Sequence, residues 1–522
     1  MNQSTSLART IVRQIIEAGI TDVVISPGSR NAPLSIAFYQ AEQKKLINVH
    51  VRIDERGAAF FALGLSKSTG RTVPIVCTSG TAVANYHPAI LEAHHTNTRL
   101  LVLTADRPAK LRKTGANQTT DQVKIFGKAV RYFADISGSA YPMEIPLHAV
   151  LQGPVHINLQ FEEPLIPDDD SQWLSNIKSV QVVAYGKKKR ERFSTTTQRG
   201  VLVIGHDRGG LPVADVQAFA DELGWPVIAE DPLSFPSAIA HASIFLTSQK
   251  VRQELMPHTV IVIGRTTLSR SINSFISSAA REIAIDPRIE TVDNDRRADE
   301  RFLALPELQT TPTDALYIEK LQKYSERIAK ILSEDWSEAF IAAEISAHLP
   351  EGSAFYISSS RPVRDIEGFA KPRGGITTYA NRGLAGIDGN ISTLLGVARG
   401  HEKTVALIGD LSFLHDMNAL IDSAGVDATI YVINNDGGGI FSTLPQRGVD
   451  GFEKIFGTPH GLSVSEIALA MKIHAVKVNN AHELREQLRQ PINGLRVVEI
   501  QVPSREENAS LLKEIYLKID SL

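Results

Sequence analysis

Cysteine is almost absent from this chain, and so are long apolar runs and any strong excess of charge. Cys77 is the single cysteine among 522 residues, which excludes an intramolecular disulfide and is usual in the reducing cytosol. No apolar run approaches the roughly 20 residues that a membrane-spanning helix needs. The net charge of −3 gives no reason to expect nucleic acid or an anionic membrane as a partner. These scarcities favour a soluble, cytoplasmic protein.

Length and composition indicate a globular chain of several domains. At 522 residues the chain is too long for one ordinary hydrophobic core and predicts about three domains. Its 43% hydrophobic and 22% charged residues are typical of soluble proteins. Near the N-terminus Leu7, Ile11, Ile15 and Ile16 recur at helical spacing, which predicts an amphipathic helix and not a signal peptide.

Short apolar runs that end in Gly, Asp, Asn, Ser or Pro alternate with helical stretches along the chain. Such runs are typical of parallel sheets covered by helices on both faces, so we predict an α/β fold of three doubly wound domains. Two irregular stretches, 187–199 and 305–313, divide the series; the first is basic and is interpreted as a linker. A long helical pattern follows from residue 315 to about 349. We place the domains at residues 1–185, 186–335 and 336–522.

Two apolar runs in the last third of the chain, at 404–408 and 429–433, end in polar residues. Asp410 follows the first run and Asn435 the second, at a spacing that admits one crossover helix between neighbouring parallel strands. Their side-chain oxygens and the Gly437 carbonyl would meet at the carboxyl edge of the sheet, where open α/β sheets bind ligands. Hard oxygen ligands suit magnesium, which completes its octahedron with phosphate oxygens and water. The pattern predicts a metal site.

The residues after Asp410 suit a diphosphate. A helix predicted to begin at Ser412 would present backbone N–H groups to an anion. Its predicted apolar face consists of Leu414, Met417, Leu420 and Ile421. Asp and Asn at strand ends are common in doubly wound proteins, so these residues alone also fit a protein without such a site.

Glu55 is a second position of interest. It lies where a strand-like stretch ending near Ile53 gives way to a helix with small residues in its first turn. Those small residues would permit close approach by a ligand or another backbone. A glutamate is also favourable at any helix N-terminus, so its position alone does not decide its role.

The two constellations together resemble thiamine-diphosphate-dependent enzymes, over essentially the whole chain. The resemblance implies that residues 1–185 bind the pyrimidine ring, 186–335 form a central domain, and 336–522 bind the diphosphate through Mg²⁺ or Mn²⁺. It implies that Glu55 is catalytic and hydrogen-bonds the aminopyrimidine, while the cofactor supplies the electron sink for decarboxylation of a 2-oxo acid. The cofactor-binding residues it implies are Glu55, Gly409, Leu411, Ser412, Ile387 and Ile440, with the metal on Asp410, Asn435 and Gly437.

Several motifs are similar to those of the menaquinone-biosynthesis branch of this family. They lie at residues 26–30, 104–108, 115–118, 381–383, 386–389 and 434–441. That branch decarboxylates 2-oxoglutarate and adds the succinyl-semialdehyde unit to isochorismate, which implies a transferase. Guanidinium groups bind the carboxylates of such substrates bidentately. The substrate-binding residues that the resemblance implies are Ser29, Arg30, Arg107, Gln118, Arg364, Arg382 and Phe441.

The chain departs from the family pattern at three positions. Leu411 stands where a glycine usually follows the Gly-Asp pair, which argues against a generic pyruvate decarboxylase or acetohydroxyacid synthase. Asp436 and Gly439 each replace an amide residue in the metal loop. They leave Asn435 in place and change the shape of the pocket around it.

Two alternatives stay open. One is another thiamine-diphosphate enzyme, acting on pyruvate. The other is a nucleotide-binding or regulatory protein, suggested by the glycines at 205–210, although they lack the dinucleotide spacing.

His94 and His95 have no partner at metal-ligand spacing and are expected to pack or face solvent. The family resemblance also implies a homodimer or homotetramer in which Glu55 of one chain reaches the cofactor held by Asp410 of another.

Overall fold

The computed structural model describes residues 2–138, 144–169, 171–180, 191–288, 292–293, 296–310, 313–332 and 334–520. The chain divides into two compact units. Unit 1 comprises Met1–Gly186, Asp388–His401 and Asp416–Val426. Unit 2 comprises Lys187–Ile387, Glu402–His415 and Asp427–Leu522. Two short segments from the last third of the chain therefore pack within the N-terminal unit.

The N-terminal region forms a parallel sheet in the order β2-β1-β3-β4-β6-β5. Its strands are β1 (Asp22–Ile25), β2 (Asn48–Val51), β3 (Val73–Cys77), β4 (Leu100–Asp106), β5 (Tyr132–Ser137) and β6 (Val155–Gln160). Its helices are α1 (Gln3–Glu17), α2 (Ala32–Gln43), α3 (Glu55–Thr69), α4 (Thr81–Asn85) and α5 (His87–Thr96). The amphipathic helix predicted at the N-terminus is α1, and its four predicted apolar residues are buried.

The central region forms a second parallel sheet, β12-β11-β10-β8-β9, and a separate parallel pair of β7 with β13. The strands are β7 (Arg192–Thr195), β8 (Gly200–Ile204), β9 (Val227–Ala229), β10 (Thr259–Ile263), β11 (Arg281–Ile285), β12 (Glu300–Phe302) and β13 (Glu307–Thr310). The helices are α6 (Val213–Leu223), α7 (Ala242–Phe245), α8 (Gln249–Glu254), α9 (Arg270–Ile276) and α10 (Ala315–Ile331), and α10 packs in the same core as β8 and β10.

The C-terminal region forms a third parallel sheet, β15-β14-β16-β17-β19-β18. The strands are β14 (Ala354–Ile357), β15 (Thr377–Tyr379), β16 (Thr404–Gly409), β17 (Ala428–Asn434), β18 (His474–Val478) and β19 (Leu495–Gln501). The helices are α11 (Glu338–Ala347), α12 (Arg361–Phe369), α13 (Asn390–Ala398), α14 (Asp410–Asp416), α15 (Val464–Ala470), α16 (Ala481–Leu488) and α17 (Arg505–Asp520). Single 3₁₀ turns include Met417–Asp422 and Gly439–Thr443.

These three sheets confirm the predicted α/β class of doubly wound parallel-sheet domains. Strands β3, β8 and β10 are buried along their whole length, as their continuous apolar sequences indicate. Of the helices in the described residues, none is long and apolar enough to span a membrane.

Both stretches interpreted as breaks contain strands in the structure. The described part of the first forms β7, which pairs in parallel with β13 in the second. Residues 187–190 of the predicted basic linker, like residues 311–312 of the second stretch, lie outside the described residues. Strand β7 was not predicted because polar residues alternate along it. A two-stranded pair at a surface does not need a continuous apolar sequence.

Two predicted helices differ from those observed. The long pattern from residue 315 to about 349 is two helices, α10 and α11, and the second has its own cap, since the Ser337 side chain accepts the N–H of Phe340. The helix after β16 begins at Asp410, not Ser412, and passes into the 3₁₀ turn Met417–Asp422. A 3₁₀ turn has three residues per turn, so the predicted helical face is not kept: Leu420 is buried while Ile421 is exposed.

Candidate active site

The carboxyl ends of β16 and β17 bring Asp410 and Asn435 together. These strands are parallel neighbours, and the Asn435 N–H donates to Asp410 Oδ2 over 3.2 Å. The same oxygen accepts the N–H of Gly437 at 2.9 Å, and Asp410 Oδ1 accepts the N–H of Leu411 at 2.6 Å. Burial raises the pKa of Asp410, although the N–H groups of Gly437 and Leu411 and the His460 side chain oppose the rise. A divalent cation at this edge would favour the ionised carboxylate.

The side-chain amide of Asn435 has a hydrogen-bonded nitrogen and an oxygen without a hydrogen-bond partner among the described residues. Its Nδ2 donates to Glu338 Oε1 at 2.7 Å, whereas its Oδ1 is buried and has no hydrogen-bond partner among the described residues. A buried polar oxygen without a partner is costly and calls for a ligand or an ion. With the Asp410 carboxylate beside it, this is the hard oxygen donor set that magnesium prefers. The residues present therefore fit a divalent metal.

The loop after β17 is held in one shape. Gly437 has φ +127°, and a Cβ atom there would lie 2.1 Å from the Gly457 carbonyl oxygen, so only glycine fits. The N–H groups of His460 and Gly461 donate to Asp436 Oδ1 at 2.9 and 2.7 Å. Asp436, which departs from the family pattern, thus ties the metal loop to the loop that follows it.

His460 contacts the candidate metal edge. Its Nδ1 accepts the N–H of Leu462 at 3.0 Å, which leaves Nε2 as the protonated nitrogen. Nε2 lies 3.2 Å from Asp410 Oδ2 and donates to it. Sequence reasoning missed this histidine, because nothing in its local sequence indicates the contact. In the described part of the chain, no group of three or more His, Cys, Asp or Glu side chains could hold a metal.

Of the residues predicted to surround the cofactor, Gly409, Leu411 and Ser412 lie at the end of β16. Ser412 Oγ donates to the Ile387 carbonyl at 3.0 Å, which joins two of them. Gly409 has open space where a Cβ would stand, and Leu411 is half-buried. Ile387 is 36% exposed, and Ile440 is half-buried in the turn Gly439–Thr443. This arrangement leaves an apolar and partly open surface beside Asp410.

Glu55 is the first residue of α3, in unit 1. Asp54 caps this helix and accepts the N–H of Arg56 at 2.9 Å, and its other carboxylate oxygen accepts from the Asn418 amide. Glu55 itself is half-buried, and its charge contributes to raising the pKa of Tyr86, after the larger effects of burial and of Cys77. Glu55 thus lies at the start of a helix, as predicted.

Asp416 supports this helix start and was not foreseen. It is buried, lies 3.7 Å from Arg56, and accepts the N–H of Ser392 on α13 at 2.6 Å. Burial raises the pKa of Asp416 to about 6, and Asp54 adds to the rise, while Ser392 and Arg56 oppose it. The sequence gives no local sign that the last residue of α14 would pack here.

Arg30, Arg107 and Gln118 lie together in unit 1. Arg107 donates to the Gln118 carbonyl at 2.6 Å and to Ser79 Oγ. Burial lowers the pKa of Arg107, and the neighbouring charge of Arg30 lowers it further. Arg30 donates to the Phe161 carbonyl at 3.0 Å, and Ser29 beside it is exposed. Two like charges so close would be stabilised by a bound anion.

Arg364 and Arg382 form a second pair, in unit 2. The pKa of Arg364 is lowered first by burial and then by the charges of Arg361 and Arg382. Arg382 is 3% exposed and forms an ion pair with Glu230, which is 2% exposed, while its Nε has no hydrogen-bond partner among the described residues. Glu230 comes from the central sheet and was not predicted.

Three further positions named from the sequence are Phe441, Gly205 and His94. The Phe441 ring lies 5.4 Å from that of Phe456. A Cβ at Gly205 would lie 1.7 Å from the Arg265 carbonyl oxygen, so close backbone packing accounts for this glycine without a nucleotide. His94 is buried with its ring 5.2 Å from that of His95.

Three family models match the chain in succession. Residues 5–125 match the N-terminal TPP binding domain of thiamine pyrophosphate enzymes, residues 167–357 the middle domain, and residues 364–502 the C-terminal TPP binding domain.

The chain is also similar to curated proteins over nearly its whole length. It is 37% identical to 2-succinyl-5-enolpyruvyl-6-hydroxy-3-cyclohexene-1-carboxylate synthase of Thermobifida fusca, with 96% of each chain covered. The synthase of the same name from Saccharopolyspora erythraea is 36% identical, with 97% of each covered. Among solved structures, benzoylformate decarboxylase from Polynucleobacter necessarius matches with a TM-score of 0.67 at 17% identity, covering 97% of this chain and 99% of that one. At that identity the match supports the fold alone.

Proposed function

The chain belongs to the 2-succinyl-5-enolpyruvyl-6-hydroxy-3-cyclohexene-1-carboxylate synthase family of thiamine pyrophosphate enzymes, and we propose that it carries out that synthesis in menaquinone biosynthesis. It decarboxylates 2-oxoglutarate and adds the succinyl-semialdehyde unit to isochorismate. The observation that carries the proposal is the buried, unpartnered Asn435 Oδ1 beside Asp410, a site built for a metal and the diphosphate it would hold.

We propose Asp410, Asn435 and the Gly437 carbonyl as the ligands of Mg²⁺, with Mn²⁺ as the alternative ion. Magnesium keeps few protein ligands and completes its octahedron with phosphate oxygens and water. Gly409, Leu411 and Ser412 would bind the diphosphate, and Ile387 and Ile440 would support the ring system. Thiamine diphosphate supplies the electron sink for the loss of carbon dioxide.

Glu55 is proposed as the catalytic carboxylate that hydrogen-bonds the aminopyrimidine and favours its imino form. Its placement at the start of α3, with Asp54 already capping the helix, leaves the Glu55 carboxylate free of the capping role. We propose a homodimer or homotetramer in which Glu55 of one chain serves the cofactor held by another. Exposed Val51 and Ile53 beside the helix start accord with an apolar interface there.

The arginine pairs are proposed to bind the substrate carboxylates. Arg30 and Arg107, with Ser29 and Gln118, would form one anion-binding group, and Arg364 and Arg382, with Phe441, the other. Each pair places two cations close together, so each would be stabilised by a carboxylate. Glu230 would hold Arg382 in place through their ion pair.

We also keep the predicted domain limits of 1–185, 186–335 and 336–522 as a proposal. The boundary near residue 185 lies outside the described residues. A cytoplasmic location is proposed from the single cysteine, Cys77, which is buried and whose pKa burial raises.

The deciding experiment measures product formation by the purified enzyme from isochorismate and 2-oxoglutarate, with and without thiamine diphosphate and Mg²⁺. Turnover should require both additions and both substrates. Replacement of 2-oxoglutarate by pyruvate should abolish product. Efficient use of pyruvate would favour the alternative decarboxylase, and turnover without thiamine diphosphate would refute the proposal.

Substrate recognition can be tested separately. Arg107→Ala should weaken the transition-state binding of the dicarboxylate substrates by about 2–5 kcal/mol in kcat/KM. Arg71→Ala, a half-exposed arginine of the same unit that pairs with Asp22, is the matched control and should change nothing. Equal effects of the two substitutions would remove Arg107 from the substrate site.

A further inference from the structure

Glu338 is a buried glutamate that touches a proposed metal ligand. It is the first residue of α11 and is 5% exposed. Its Oε1 accepts the Asn435 Nδ2 hydrogen at 2.7 Å, and its Oε2 lies 3.3 Å from Arg361 Nε. Arg361 also contacts Asp365, one turn along α12. One carboxylate thus joins the half-buried Arg361 on one side to the amide of Asn435 on the other.

The chemistry of this contact allows only one orientation of the amide. An ionised carboxylate accepts hydrogen bonds and cannot donate them, so it can face Nδ2 of Asn435 but not Oδ1. The guanidinium of Arg361 donates to the other carboxylate oxygen over 3.3 Å and so holds the glutamate in place. With Nδ2 held by Glu338, Oδ1 is turned to the opposite side, where it is buried without a partner among the described residues.

We infer that Glu338 is a positioning residue of the metal site, which orients the Asn435 amide so that its oxygen, and not its nitrogen, faces the cation. The inference rests on the proposed metal site and deepens it. Partners of metal ligands commonly act in this way by fixing the orientation of the ligand. Such a role needs no contact between Glu338 and the metal, the cofactor or the substrates.

Glu338→Gln is the informative change because it preserves the shape of the side chain while it removes the charge and introduces an NH₂ donor. Arg361 requires an acceptor, so the introduced amide will turn its oxygen toward Arg361 and its NH₂ toward Asn435. Two NH₂ groups cannot hydrogen-bond each other, so Asn435 must turn its own amide over. Its Nδ2 would then face the cation, which it cannot ligate.

The experiment is a calorimetric titration of the full-length protein with thiamine diphosphate at several Mg²⁺ concentrations. Glu338→Gln should raise the Mg²⁺ concentration needed for half-maximal cofactor affinity by about 10- to 100-fold. Glu344→Gln is the matched control, because it lies on the same helix and also loses an ion pair with an arginine, Arg485. It should leave the Mg²⁺ dependence unchanged.

A second substitution provides a rescue that a general structural role would not give. In the double variant Glu338→Gln with Asn435→Asp, the introduced carboxylate accepts from the introduced amide with one oxygen and offers the other to the metal. The Mg²⁺ requirement should return to within a few-fold of wild type. Failure of rescue in a folded double variant would overturn the inference.

The remaining outcomes separate the inference from the proposed site. If Asn435→Ala leaves the Mg²⁺ dependence unchanged, the metal site itself is refuted. If Asn435→Ala weakens it and Glu338→Gln does not, only the positioning role is refuted. Should Glu338→Gln fail to fold, Asn435→Asp alone decides. Repulsion from Glu338 should then weaken Mg²⁺ binding, whereas an unconstrained extra carboxylate would strengthen it.

Discussion

The edge of the third sheet and the start of α3 carry the two proposed halves of the active site, and they are built differently. At the sheet edge, Asp410 accepts three backbone N–H groups and one from His460, all within unit 2. At the start of α3, Glu55 is half-buried beside Ile53 and Val51, which are 61% and 50% exposed. The first half is organised by the backbone of one sheet, and the second lies beside uncovered apolar surface.

The difference extends to the residues that support each half. Asn435 and Asp410 are supported by the buried Glu338 and by the rigid Gly437 turn. The start of α3 depends on Asp416 and Asn418, which come from a segment more than 300 positions away in the chain. The site at the strand ends is thus organised mainly by backbone N–H groups, whereas the α3 site depends on side chains from a distant segment and, in our proposal, on a second chain.

The largest effect is expected at the sheet edge. Asp410→Ala should abolish Mg²⁺-dependent binding of thiamine diphosphate, because it removes an oxygen from a small and strict coordination shell. Calorimetric titration measures this directly. Asp286→Ala is the control, since Asp286 is also a buried aspartate directly after a parallel strand but pairs with Arg288. Unchanged affinity in Asp410→Ala would mean that the metal is held elsewhere.

The next effect concerns α3. Glu55→Gln should still bind the cofactor but lose activity by roughly 10²- to 10⁴-fold, the usual contribution of a positioned proton-transfer group. Deuterium exchange at the thiazolium carbon should slow in parallel. Glu92→Gln, which changes another buried glutamate of unit 1, should exchange at the wild-type rate. Wild-type exchange in Glu55→Gln would show that this residue does not activate the cofactor.

A mixture of the two variants tests whether the halves come from different chains. When Glu55→Gln and Asp410→Ala chains exchange one to one, half the dimers are mixed, and each mixed dimer has one intact site if the sites are shared. About a quarter of wild-type activity should return. No recovery after chain exchange is confirmed by mass would indicate sites built within one chain.

The smallest effect should appear in the pH dependence of stability near α3. The folded-state pKa of Asp416 is about 6, against 3.8 for the free side chain, because the group is buried. Between these values the folded chain keeps a proton that the unfolded chain has lost, so stability falls as pH rises through this window. The cost at pH 7 is about 3 kcal/mol.

Asp416→Asn should remove this pH dependence. The thermal unfolding midpoint of the variant, taken relative to wild type, should therefore rise between pH 4 and pH 6 and stay level above pH 6. Arg56, Asp54 and Ser392 face this side chain and are unchanged in the comparison. A difference that does not vary with pH would show that Asp416 is ionised throughout.

The positions of the strand ends and the order of their strands could be predicted from the sequence. The apolar runs before Asp410 and Asn435 form the neighbouring parallel strands β16 and β17, because a spacing of one crossover in a buried parallel sheet leaves little choice of partner. The change from strand to helix at Glu55 could also be predicted, because apolar periodicity and a capping aspartate act over a few residues.

Only the tertiary structure decided which side chains support those positions. Glu338 meets Asn435 across 97 positions, and Glu230 meets Arg382 across 152. Neither glutamate differs in its local sequence from one that would begin a helix or face solvent. Local periodicity reports which face of an element is buried, whereas a hydrogen bond between distant side chains depends on how helices and sheets pack, and that packing is set by the whole core at once.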